Sequence, residues 1–233
     1  MALNTLIYNY IFVQISILLF VAPFLLLYFY FNPHLKLKHI IFNKFIEDFL
    51  SSKFANWLIF FWAMAETIFW YIIPEFLLLL IVFLKIEKKK KLLIYDFLGT
   101  FLGIILSVII FSNFDIKLTQ IPFVTQGMIN QVDYWYKSLG IIALIHQPFS
   151  GIPFKVFISS AVKFSYSIPL FMVFSLIMRM ARYYILYYVF DGLYPFFHKY
   201  ISKHYIPIFV TACFVFSFML LKIVLSYGIL YRI

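Results

Sequence analysis

Cysteine occurs once in this chain, at Cys213. An internal disulfide is therefore excluded, and so is a metal site built from thiolates alone. Charge is also sparse: 12% of the 233 residues are charged, and acids number 9 against 19 Lys and Arg. The five histidines, His34, His39, His146, His198 and His204, show no metal-ligand spacing and read as interfacial or packed residues. No nucleotide-binding loop, glycine-rich phosphate cradle or Ser/His/Asp set is present. With no nucleophile and base pair in view, the chain does not read as an enzyme, and no metal or cofactor is implied.

Apolar surface is abundant instead. Hydrophobic residues make up 65% of the chain and aromatics 23%, with a mean hydropathy of +0.98. A soluble domain of this size has too little interior to hide that much apolar surface. The expectation is one compact, all-α integral membrane protein. The net charge of +10 is clustered at the ends of apolar runs, which marks topology and headgroup contact rather than a nucleic-acid groove. KIEKKKK at 85–91 reads as such an anchor. The first apolar run, Ile11 to Phe31, lacks a basic leader and is expected to be a transmembrane helix, not a cleaved signal.

About 20 apolar residues cross the ~30 Å hydrocarbon core. Four segments fit: 9–31, 92–112, 164–190 and 206–228. Two other apolar stretches do not. Residues 54–84 would form a rod of ~45 Å, yet lysines flank them on both sides (Lys36, Lys38, Lys44 and Lys53; Lys85 and Lys88 to Lys91). Positive flanks on one face require a turn within the membrane, and Pro74 is a natural break. Residues 139–163 are interrupted by Pro148, Gly151 and Pro153 and follow a neutral loop, 113–138, expected outside. The prediction is thus about four transmembrane helices plus two re-entrant helical hairpins entering from opposite faces, an inverted repeat. Its parts are an N-terminal helix and basic interfacial segment (1–53), a core (54–190), and a C-terminal loop and transmembrane helix (191–233).

Glu66 and Glu75 lie in the first hairpin, and each carboxylate at membrane depth costs roughly 2.5–3.5 kcal/mol. Such groups normally face a cavity and pair. The cations at comparable depth are Lys155, Arg179 and Arg182, the last two sharing a helix face. Glu66 and Glu75 are candidates for proton coupling; Lys155, Arg179 and Arg182 are candidates for ion pairing or for holding a phosphate. A plain structural role, pinning the hairpins together, stands beside that reading. Gly99 and Gly103 in GTFLG allow close helix packing.

Glu66, Phe69-Trp70 and Pro74-Glu75, then GTFLG, then Phe149-Ser150-Gly151-Ile152-Pro153-Phe154-Lys155, and finally Arg179, Arg182 and Tyr183 follow one another in an order that resembles the DedA superfamily (the VTT or SNARE-associated Golgi protein family), more narrowly its YqaA-like branch. The resemblance covers residues 60 to 190. It departs where Glu75 replaces Asp, where Tyr71 and Ile73 replace prolines, and where Gly151 replaces another. The resemblance implies two re-entrant hairpins in an inverted repeat, movement of lipids or polyprenyl-phosphate carriers between leaflets as a flippase or scramblase, and dependence on a proton gradient. The expected partners are membrane lipids, anionic or polyprenyl-phosphate among them, and protons; assembly of identical chains is compatible with this. Two alternatives remain: a proton-coupled exporter of small solutes, and a structural membrane protein without transport.

Overall fold

Long apolar runs closed by lysines fix where the longest helices lie. The computed structural model describes residues 11, 15, 19, 21–31, 48–69, 82, 89–121, 123–203 and 205–229. Among them the regular structure is helical throughout, without a strand. The elements are α1 (Val21–Phe31), α2 (Lys53–Ile68), α3 (Lys89–Asn113), α4 (Gln126–Leu139), a 3-10 segment (Gly140–His146), α5 (Phe154–Lys163), α6 (Ile168–Lys203) and α7 (Tyr205–Ile229).

Two stretches are long and apolar enough to cross a membrane: Lys91–Asn113 in α3 and Ile168–Phe197 in α6. They fall on the predicted spans 92–112 and 164–190. At the other two predicted spans the described residues contain shorter apolar helices, Val21–Phe31 and Phe214–Tyr227. Helix α6 continues past 190, where a loop was expected, and runs through Pro195 to Lys203. The apolar spacing Leu193, Phe196, Phe197, Tyr200 carries the helical period onward.

The chain divides into two compact units. The first comprises Met1–Ala63, Ile72–Gly99 and Ile185–Ser217; the second comprises Met64–Tyr71, Thr100–Tyr184 and Phe218–Ile233. In the first, Tyr28 is edge-on to Phe49 (centroids 5.4 Å apart) and to Phe54 (6.0 Å). Leu58, Ile59, Trp62 and Leu92 are buried there, as are the polar Asn56 and Asp96. Gly99 faces the Phe60 carbonyl so closely that any side chain would overlap it.

In the second unit, the predicted outer loop 113–138 proves to contain α4. Thr125 caps it, its hydroxyl oxygen accepting the Met128 N–H at 3.3 Å. Gly140, at φ +60, ends it and donates its N–H to the Tyr136 carbonyl. Met128, Val132 and Tyr136 recur every fourth residue and form its buried stripe; low overall hydropathy concealed that period.

Residues 139–163 form two short helical pieces around a turn. The 3-10 segment ends at His146, Pro148 lies in the turn that follows, Gly151 takes φ +71, and Pro153 immediately precedes α5. Both pieces pack on α4. Asp133 of α4 binds α5 twice, accepting from Ser160 Oγ at 2.7 Å and pairing with Lys163 Nζ. Tyr166 adds a hydrogen bond to the Tyr136 carbonyl at 2.9 Å.

Helix α2 ends at Ile68, with Phe69 N–H bonded to the Ala65 carbonyl at 2.9 Å. The expected break at Pro74, together with Glu75, lies outside the described residues. Gly103 of α3 meets this end of α2: a Cβ there would stand 2.8 Å from Thr67 Cβ and 3.0 Å from the Met64 carbonyl oxygen. Gly192, in contrast, has nothing within 4 Å among the described residues. Gly103→Val should therefore lower stability by about 1–3 kcal/mol through overpacking, whereas Gly192→Ala should raise it by about 0.5–1 kcal/mol through helix propensity. Thermal unfolding of the detergent-purified variants checks both signs.

Candidate functional site

Glu66 sits in the last turn of α2, a poor place for a carboxylate because the helix dipole presents its negative end there. It is also buried. Its compensation comes from α6. Arg179 Nη2 pairs with Glu66 Oε2 while Nη1 approaches Oε1 at 3.5 Å, a two-pronged contact with both groups buried.

The position of Arg179 follows from a four-residue rhythm along α6. Phe171, Ser175, Arg179 and Tyr183 are all buried, which places one continuous stripe against the interior. At the start of that stripe Phe171 stacks on Phe154 of α5, centroids 6.1 Å apart and planes 13° from parallel. Phe154 in turn lies under the guanidinium, with Arg179 Cζ 4.8 Å from the ring centroid. Planar guanidinium over an aromatic face is a favourable cation–π arrangement. It leaves the edge of the fork for the carboxylate.

Lys155 follows Phe154 directly and is 1% exposed. Its charge acts on both Glu66 and Arg179. Arg182, half-buried one turn beyond Arg179, acts on the same carboxylate. Four of the five charged residues singled out from sequence are thus gathered in one unit: Glu66, Lys155, Arg179 and Arg182. Glu75 is not among the described residues. The described members comprise one acid and three bases, so the cluster carries an excess of positive charge that suits an anion.

Unused hydrogen-bonding capacity remains in the same unit. Among the described residues, Arg179 Nε and Ser175 Oγ are buried without a hydrogen-bond partner, as is Gln147 Oε1 in the turn before α5. The end of α2 is further satisfied by Ser107 of α3, whose hydroxyl donates to the Thr67 carbonyl at 3.3 Å.

Several contributors escaped the sequence reading. Phe154 as a platform had no local signal. The stripe containing Ser175 was readable from its four-residue spacing. His146 is stacked on Trp135 with centroids 4.5 Å apart, as a packed residue would be. No group of three or more His, Cys, Asp or Glu side chains able to hold a metal occurs among the described residues.

Compared with protein-family models, with curated proteins and with solved structures, the chain matches none of them.

Breaking a buried ion pair by removing one partner leaves the other charge uncompensated, at a cost of about 3–5 kcal/mol. Arg179→Met alone should destabilise by that order. The double change Glu66→Gln with Arg179→Met should cost clearly less than the sum of the two single changes. A double-mutant cycle in thermal unfolding tests this; strict additivity would show that the two side chains do not depend on one another.

Proposed function

We propose that the chain is an integral membrane protein of DedA-like design that moves a lipid or lipid-linked phosphate between leaflets, with proton coupling. The observation carrying this reading is the buried Glu66–Arg179 pair surrounded by Lys155 and Arg182. Four membrane-spanning helices and two re-entrant hairpins, at 54–84 and 139–163, belong to the proposal, as does placement in a bacterial inner membrane.

The chemistry follows from competition for one guanidinium. An ionised Glu66 occupies both prongs of Arg179. A phosphate entering the cluster needs the same N–H groups, with Lys155 and Arg182 neutralising its remaining charge. Protonating Glu66 removes its claim on Arg179, so proton uptake and anion binding support one another by linkage. Glu75 is assigned the second proton-exchanging position. Partners on this reading are membrane lipids, polyprenyl phosphate among them, and protons.

A second reading has a specific observation behind it. Arg179 is clamped between the Phe154 ring and Glu66, as a purely structural lock would be. The two readings part on what Arg182 does, because it is not the clamped residue. In proteoliposomes at matched protein density, Glu66→Gln and Arg182→Ala should each slow headgroup translocation by about tenfold or more, the worth of one interaction of ~1.4 kcal/mol. Unchanged rates in both variants would remove the transport mechanism. Loss of protein abundance with normal specific activity would favour the lock.

A further inference from the structure

A cavity of about 620 Å³ lies in the first unit, whereas the charged cluster belongs to the second, with Tyr28 and Phe31 of α1, Asp48, and Lys53, Phe54 and Trp57 of α2 in its wall. That volume is within the usual range of small-ligand sites, ~300–1,000 Å³.

The lining is organised by helical spacing. Tyr28 and Phe31 are three apart and share a face of α1; Lys53 and Trp57 are four apart and share a face of α2. Phe31 stacks against Phe54 at 5.8 Å and 25°, and Tyr28 meets Phe54 edge-on at 6.0 Å and 83°. Phe31 and Trp57 remain 64% and 47% exposed, so ring surface is left available. Several aromatic rings around one carboxylate suit an ammonium cation: the ring faces attract it electrostatically and Asp48 supplies the counter-charge.

The opposite charge is provided for as well. Lys53 is the first residue of α2, and Ser52 before it accepts the Phe54 N–H at 3.2 Å. A cation at the start of a helix, where backbone N–H groups also point outward, suits a phosphate. Groups that favour a cation and groups that favour an anion thus line the same cavity.

We propose that this cavity binds the ammonium–phosphate zwitterion of a phosphocholine or phosphoethanolamine group, carried either by a membrane lipid or by a free solute. The ammonium lies among the rings beside Asp48, and the phosphate lies against Lys53 and the start of α2. The site is independent of Glu66 and Arg179 and does not rest on the transport reading.

The test uses the full chain in detergent and native mass spectrometry, offering phosphatidylcholine or phosphatidylethanolamine in equal amount with phosphatidylglycerol. Retention of at least one zwitterionic lipid should exceed that of phosphatidylglycerol by about fivefold, in keeping with a cation–π contact at a partly exposed site. Asp48→Asn should abolish the preference, which assigns it to this cavity rather than to the charged cluster, of which Asp48 is no member. Asp48 and Lys53 are exposed, so their neutral variants test binding rather than folding. Displacement of the retained lipid by free phosphocholine assigns the site to the headgroup alone, and failure to displace assigns it to the whole lipid. Equal retention of phosphatidylglycerol, or an unchanged preference in Asp48→Asn, overturns the proposal.

Discussion

The second unit is organised around a single demand: the Glu66 carboxylate, buried at the unfavourable end of α2, has to be neutralised. Arg179 meets that demand only because α6 turns its Phe171–Ser175–Arg179–Tyr183 stripe inward and because α5 provides Phe154 as a bed for the guanidinium. Each of those conditions brings further ones. Phe154 heads a helix that starts immediately after Pro153, and Lys155 is drawn into the interior with it. A structural lock would need only one cation for one acid. Lys155 and Arg182 instead leave the described members of the cluster with an excess of positive charge.

Backbone economy explains the shape around the cluster. A helix that stops inside apolar surroundings must find partners for its last carbonyl groups. At the end of α2, Phe69 N–H and the Ser107 hydroxyl take two of them. Ser107 reaches Thr67 because Gly103, one turn earlier in α3, lets the two backbones approach. At residues 146–153 the turn is closed locally, with Ser150 N–H on the His146 carbonyl at 2.9 Å and Gly151 taking a conformation most residues resist.

Much of this was legible in the sequence. The spans at 92–112 and 164–190 were long apolar runs, and a run of that kind has few alternatives to a buried or lipid-facing helix. Glu66, Lys155, Arg179 and Arg182 stood out because isolated charges in apolar context require partners, although nothing in the residues paired Glu66 with Arg179 in particular. What escaped was amphipathic rather than apolar. Helix α4 buries only Met128, Val132 and Tyr136 among apolar side chains, and its near-neutral charge made it resemble a loop. The run beyond 190 was read as a loop holding Lys199 and Lys203, whereas the apolar rhythm on either side of Pro195 keeps it helical as far as Lys203. Phe154 could not have been chosen in advance from among 32 phenylalanines, since its distinction lies in what the tertiary structure sets above it.

The stretch from Gly140 to Tyr166 is braced at three points. Asp133 grips its far leg through Ser160 and Lys163, Tyr166 ties that same side to Tyr136, and at the crest Gly151 abuts Ile223 while the Tyr227 hydroxyl reaches the Ser150 carbonyl at 3.5 Å. An arch held at its springing and its crown does not unfurl. While α7 stays seated on that crown, the backbone leading into Lys155 is held in one form.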